Sequence, residues 1–207
     1  MSEWRERKLE ELAEIIKNKY TPRTGDALNY IGLEHIQEQA LRLNGIGSSE
    51  DVTSDKFYFR KGDILYGKLR PYFRKVIQPN FDGVCSTDIW VVRSKNGVNQ
   101  TFLFYLFANK QFVDLSDSGE AGTKMPRADW KFMAQTSWNI PNDENEQRAI
   151  ASVLSSLDDK IDLLHRQNKT LEAMAETLYR QLFVEEADEG WDVYAIGKMF
   201  EITSGKG

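Results

Sequence analysis

The stretch EQRAIASVLSSLDDKIDLLHRQNKTLEAMAETLYRQLF, residues 146–183, runs for 38 residues without Gly or Pro and follows closely on Pro141. At 1.5 Å per residue it predicts one helix on the order of 57 Å long. Its apolar residues recur in alternating steps of four and three, which is a heptad seam. The d positions are Ile150, Leu157, Leu164, Leu171 and Leu178; the a positions are Leu154, Ile161, Asn168, Ala175 and Leu182. A stripe this narrow and long calls for a second helix, because helices draw most of their stability from burying such a face. The alternative is that the helix lies on its own domain. Asp143 is placed to cap the helix, with Glu146 three residues on at capping-box spacing. Beyond Phe183, residues 184–190 form an acidic linker closed by Gly190.

Outside the helix the texture changes. Residues 1–145 read as a compact α/β (α+β) domain. Trp4 to Ile16 carries apolar residues at amphipathic spacing and predicts a short helix or turn. Tyr30-Ile31-Gly32-Leu33, Phe57-Tyr58-Phe59, Ile64-Leu65-Tyr66, Val76-Ile77 and Ile89-Trp90-Val91-Val92 are strand candidates, with turns at residues 60–63 and 81–83. A buried helix is expected over Thr101–Leu115, a short one over Pro126–Met133, and a last strand at Ser137–Ile140. Trp4, Leu9, Leu12, Glu14 and Ile15 are matched at a constant offset of 187 by Trp191, Ile196, Met199, Glu201 and Ile202. Residues 191–207 thus resemble the start of a second, truncated copy of the same domain.

Composition narrows the function. The single Cys85 excludes an internal disulfide, and His35 and His165 stand alone, so no metal cluster is expected. No apolar run approaches the ~20 residues of a membrane span, and Met1-Ser2-Glu3-Trp4-Arg5 has no hydrophobic signal segment, so a cytoplasmic protein is expected. There is no G-x-G-x-x-G, Walker loop or G-x-S-x-G elbow, and no cofactor is expected. Glu6-Arg7-Lys8 and Asp158-Asp159-Lys160 mimic fragments of nuclease motifs but read as solvated charge.

Net charge is −5, yet between Lys56 and Lys75 seven basic residues face one acid, Asp63. A local patch of that kind, interleaved with aromatics from Arg60 to Lys75, suits phosphate neutralisation and groove filling. A second segment, Gly119 to Arg127, puts Lys124 and Arg127 on a loop entering a helix. The DNA-binding candidates are therefore Lys68, Arg70, Arg74, Lys75, Lys124 and Arg127. A solvated cationic hairpin is the plainer alternative for the first segment.

The order of motifs carries a resemblance: Tyr30-Ile31-Gly32-Leu33-Glu34, Lys61-Gly62-Asp63-Ile64-Leu65-Tyr66-Gly67-Lys68-Leu69-Arg70-Pro71-Tyr72, Cys85-Ser86-Thr87-Asp88, Gly122-Thr123-Lys124-Met125-Pro126-Arg127-Ala128, then Ile140-Pro141 with Glu146-Gln147 and a long helix. It resembles one half of the specificity subunit of type I restriction-modification systems. The resemblance implies a target recognition domain that reads half of a bipartite double-stranded DNA site, and a conserved spacer helix. It implies no catalysis of its own. Methyltransferase subunits, and a restriction subunit through them, are the implied partners, contacted by the outer helix faces and the Trp4 and Trp191 segments. A coiled-coil adaptor that never touches DNA, or a stand-alone nuclease or methyltransferase, are the competing functions.

The seam itself suggests how two such chains pair. An antiparallel homodimer matches Ile150 with Leu182, Leu154 with Leu178, Leu157 with Ala175, Ile161 with Leu171, and Leu164 with Asn168, every layer joining a to d. A parallel pair stacks Asn168 on Asn168 and under-fills the Ala175 layer.

Overall fold

Strands form where the apolar runs predict them and at several places where they do not. The computed structural model describes residues 3–118, 125–187, 190, 194 and 198. In it the chain runs β1 (Trp4–Lys8), α1 (Leu9–Leu12), β2 (Ala13–Ile16), β3 (Lys19–Tyr20), β4 (Asn29–Ile31), β5 (Gly47–Ser48), β6 (Lys56–Phe59), β7 (Ile64–Gly67), β8 (Val76–Ile77), β9 (Gly83–Cys85) and β10 (Ile89–Ser94). There follow α2 (Gln100–Ala108), α3 (Lys110–Ser118), α4 (Trp130–Ala134), β11 (Ser137–Pro141) and α5 (Glu144–Arg180). The proposed repeat over residues 191–207 lies, apart from Tyr194 and Lys198, outside the described residues.

The strands make three sheets, ordered β1-β11, β2-β10-β7-β8 and β3-β6-β9-β4-β5. In the second, successive residues of β7 and β10 point to opposite faces, as the pleat requires. Ile64, Tyr66, Trp90 and Val92 enter one core, with Phe102, Leu103, Phe107 and Phe112 from α2 and α3. Leu65, Ile89 and Val91 enter the other, with Ile31, Phe59 and Cys85. Both faces are covered, which is why these strands read as unbroken apolar runs. The Tyr66 ring stacks on Trp90 with centroids 5.5 Å apart and meets Phe107 and Phe112 edge-on.

Three expectations are corrected. Residues 4–16 form strand, one helical turn and strand, since β1 pairs with β11 (Trp4 opposite Pro141) and β2 with β10 (Val91 opposite Ile16). Only Leu9 and Leu12 keep the helical spacing, and both are fully buried. Gly83, expected to close the turn at residues 81–83, instead opens a strand with Val84 and Cys85 that lies between β6 and β4. The predicted helix 101–115 is two helices, because Asn109 ends α2 with an extended backbone and its Oδ1 accepts from the Gln111 N–H (2.8 Å) to start α3.

The chain falls into two compact units, residues 1–158 and 159–207, so the division lies inside α5. In the first unit, Asp143 caps α5, its side chain accepting from the Asn145 N–H at 2.9 Å, while the Trp4 indole N–H donates to Glu146 Oε1. Gln147 is wholly buried. Its Oε1 accepts from the Asn99 N–H (2.8 Å) and its Nε2 donates to the Pro141 (2.9 Å) and Gly97 (3.3 Å) carbonyls. Ile150 and Ala151 pack on the core of this unit, and the Tyr105 hydroxyl donates to Asp158 Oδ2 at 2.7 Å. In the second unit the helix is exposed throughout and ends in one π-helical turn, Gln181–Glu185.

Gln147→Leu removes a buried side chain that bonds three backbone groups, the Pro141 carbonyl among them buried, and we expect a loss of about 2–3 kcal/mol in urea unfolding, since an orphaned buried group costs roughly 1–3 kcal/mol and the two partly buried ones recover much of their loss from water. A change below about 0.5 kcal/mol, the range of an unconstrained surface site, would show that the amide does not hold α5 to the domain.

Candidate nucleic-acid interface

The residues between β7 and β8 form a closed turn. Gly67 N–H donates to the Lys75 carbonyl at 2.8 Å and shuts its base. Glycine permits the close approach: a Cβ at Gly67 would lie 2.8 Å from Leu33 Cδ2 and 3.1 Å from Lys75 Cβ, so a larger residue would make these side chains shift. Within the turn, Pro71–Phe73 make a single 3-10 helical turn flanked by Arg70 (φ 51°) and Arg74 (φ 49°), both left-handed. Gln39, at φ 56°, is the third non-glycine residue with positive φ among the described residues, and it lies against the same turn. Each such residue costs on the order of 1–2 kcal/mol and persists only when its surroundings over-determine it.

Two sets of bonds supply that determination. On one side, Leu69 bridges antiparallel to Arg127, Arg70 N–H donates to the Pro126 carbonyl and Ala128 N–H to the Lys68 carbonyl, both at 2.8 Å. The two basic segments singled out in the sequence therefore meet as paired backbone. Lys68 N–H donates to the Asp88 carbonyl (2.9 Å) and the Arg127 guanidinium faces Asp88 Oδ1 at 3.4 Å. On the other side, the hairpin closed by the Ile36–Leu43 bridge carries Gln39. Gln39 N–H donates to the Phe73 carbonyl (2.9 Å), its Nε2 to the Tyr72 carbonyl (2.6 Å), and its own carbonyl accepts from Arg74 Nη2 (2.7 Å). Nothing in the polar sequence around Gln39 announces this role.

The predicted cations divide sharply. Lys68, Arg70 and Arg74 stand half-exposed on the turn and Arg127 is exposed beside it. The Arg127–Asp88 pair, with side chains 52% and 33% exposed, is worth about 0–1 kcal/mol and yields readily to a competing anion. The Nε atoms of Arg70 and Arg74 are buried without a hydrogen-bond partner. Tyr72, an exposed ring packed 4.6 Å from Phe73, caps the turn. Lys75 is different: its Nζ donates to the Leu33 carbonyl (2.8 Å), faces Glu38 at 3.6 Å and lies over the Phe73 ring, a structural use. Lys124 lies outside the described residues.

The charge-rich window is not one patch. Lys56 is buried, its Nζ bonded to Ser54 and over the Tyr30 ring, and desolvation lowers its pKa. Arg60 and Lys61 sit at the far end of β7, whose four residues span ~13 Å. Asp63 is buried and held bidentate by Arg93 (2.6 and 2.8 Å), the hydrogen bonds raising the arginine's pKa. The Cys85 thiol is buried and pushed up by desolvation, so it offers no nucleophile.

Among the predicted seam residues, Ile150 packs on the core of its own domain and Leu154 is half-buried. Leu157, Ile161, Leu164, Asn168, Leu171, Ala175, Leu178 and Leu182 are exposed, and Tyr179 and Phe183, stacked at 5.2 Å, are exposed outside the seam.

A sequence profile of the type I restriction modification DNA specificity domain matches residues 1–173. The chain belongs to this family. It is 28% identical over 193 residues to the type I restriction enzyme HindI specificity subunit of Haemophilus influenzae, covering 89% of this chain and 42% of that one. It is 28% identical over 134 residues to the EcoDI specificity subunit of Escherichia coli, covering 64% and 30%. It therefore spans less than half the length of these two relatives. The HsdS subunit of Thermoanaerobacter tengcongensis shares the fold, with a TM-score of 0.64, 22% identity and coverage of 92% of this chain and 51% of that one. The long helix after the mixed sheet-and-helix domain is part of the shared architecture. Among the described residues no helix is long and apolar enough to cross a membrane.

The left-handed backbone is testable without DNA. Arg70→Gly should be more stable than Arg70→Ala by about 1 kcal/mol in urea unfolding, because only the alanine retains a Cβ in that conformation. Equal stabilities would mean that the turn is built otherwise.

Proposed function

We propose that this chain is the sequence-reading component of a type I restriction-modification complex. It recognises one half of a bipartite double-stranded DNA target and recruits N6-adenine methyltransferase subunits, with a restriction subunit joining through them. The observation that carries this reading is the backbone pairing of Lys68–Arg70 with Pro126–Ala128, which gathers Lys68, Arg70, Arg74 and Arg127 around an exposed tyrosine. Lys124, three residues before Arg127, joins them in the proposal. Phosphate contacts by this set position the protein; guanidinium contacts to base edges select sequence.

Binding measured by fluorescence anisotropy on duplexes enriched from a random pool separates the two roles. Arg127→Ala should weaken binding by about 1–3 kcal/mol and relax preference at one base pair if it meets a base edge; Lys68→Ala should lower the slope of log K against log salt by about one if it meets a phosphate. Wild-type affinity and slope in both variants, or no salt dependence in the parent, would favour an adaptor that does not touch DNA.

The open seam from Leu157 onward supports pairing of two copies, and the a-to-d matching favours the antiparallel form. A symmetric pair would read two identical half-sites. Because Ile150 belongs to the domain core, the crosslink that tests the register lies further along: Leu157→Cys with Ala175→Cys, in a Cys85→Ser background. Oxidation should give interchain 157–175 bridges. Bridges of 157 to 157 and 175 to 175 would indicate parallel pairing, and a monomer by sedimentation would remove the dimer from the proposal.

A further inference from the structure

The Gln39 hairpin lies outside every segment that the basic patch or the family motifs single out, yet it determines the conformation of the recognition turn. Its three bonds fall on three consecutive residues, Tyr72, Phe73 and Arg74. Those residues include the exposed ring at the tip and one of the left-handed arginines. The hairpin is itself anchored. Ile36 is buried in the second core, Gln37 N–H donates to the Arg42 carbonyl (3.1 Å), and Asn44 N–H to the His35 carbonyl (3.0 Å). The turn's own bonds, Phe73 N–H to the Arg70 carbonyl (3.0 Å) and Arg74 N–H to the Pro71 carbonyl (2.8 Å), and its pairing with Pro126 and Ala128 hold other groups and leave the orientation of the Tyr72 and Phe73 carbonyls, and with it the Tyr72 ring, to Gln39. Gln39 closes that freedom from the opposite side.

Building on the DNA-binding reading, we infer that Gln39 is a positioning residue for sequence recognition: its carboxamide and backbone fix Tyr72 and Arg74 in the geometry that meets the DNA, before the DNA arrives. The physical gain is pre-organisation. A contact that must be ordered on binding loses affinity to the ordering, whereas one already in place does not. Phosphate contacts tolerate a moving side chain, since a charge needs only to be near. Contact with a base edge or base step does not, because it depends on direction. Gln39 should therefore act on the preference for target over unrelated sequence and leave non-specific binding alone. It carries no charge and need not touch DNA for this.

Two substitutions isolate the carboxamide. Gln39→Met keeps the length and the backbone cost of the left-handed conformation but has no donor for the Tyr72 carbonyl. Gln39→Gly keeps the backbone N–H and carbonyl, adopts positive φ freely and removes the side chain. The full 207-residue chain is used to enrich duplexes from a random pool, and the resulting consensus duplex is compared with a scrambled duplex of the same composition. Both variants should bind the consensus about tenfold more weakly, the net effect of one hydrogen bond. Their affinity for the scrambled duplex and their salt slope should match the parent, while the urea midpoint reports only the lost bond, lowered in Gln39→Met and offset in Gln39→Gly by the relieved left-handed backbone. Parent-like affinity for the consensus overturns the inference. So does an equal loss on both duplexes, which is the signature of a merely structural role. If the parent enriches no sequence at all, the DNA-binding reading fails first, an outcome distinct from either.

Discussion

The hydrogen bonds between Lys68–Arg70 and Pro126–Ala128 turn two segments nearly sixty residues apart into one surface. They are main-chain bonds, and so is the Gly67–Lys75 closure at the base of the turn. Main-chain pairing makes almost no demand on side-chain identity beyond the glycine that permits close approach. Among the described residues, Arg74 alone of the tip side chains, Lys68, Arg70, Tyr72 and Arg74, holds a hydrogen bond within the fold, to Gln39. A scaffold held by its backbone can present different side chains without being rebuilt.

The charge count overstates what such a surface has to offer. Of seven cations between Lys56 and Lys75, Lys56 and Lys75 are consumed by carbonyls and rings within the fold, and Arg60 and Lys61 stand at the other end of β7. What remains is Lys68, Arg70 and Arg74, joined through backbone pairing by Arg127, which faces Asp88. Charges beyond a Debye length of ~8 Å are screened at physiological salt, so the overall net charge of −5 says little about this group. Its strength comes from convergence.

Much of the fold was legible where local signals and tertiary structure agree. Ile64–Tyr66 and Ile89–Val92 are apolar on both faces and could hardly be anything but buried strands. Asp143 announced the start of α5 and does cap it. The failures share a cause. Residues 4–16 show helical spacing at Leu9 and Leu12, but β1 takes its partner from β11, with Trp4 opposite Pro141 and Lys8 opposite Ser137, and non-local pairing leaves no trace in a local window. Gly83-Val84-Cys85 is three residues long and opens on a glycine, so its first residue reads as the end of the turn before it. Asn109 splits a helix because its side chain caps the next one, a choice that becomes decisive only once α2 and α3 both pack on Tyr66. At the site, both basic segments were visible. Their adjacency was not, nor was Gln39, whose role rests on a backbone conformation that glutamine does not advertise.

The helix shows the same limit from the other direction. A heptad stripe asks for something apolar opposite it and does not say what. Ile150 and Ala151 find that surface in their own domain, and the seam continues in register past Asp158 without any change in its spacing. What does change is its content. Asn168 and Ala175 both fall beyond that point, among exposed positions. An asparagine facing a domain core would need its amide satisfied there, as Gln147 is by three backbone groups. Between two helices the same residue instead selects a register, and an alanine makes room for a large partner across the seam. The polar and small residues, rather than the leucines, are what distinguish the part of α5 that packs on its own fold from the part whose seam is exposed.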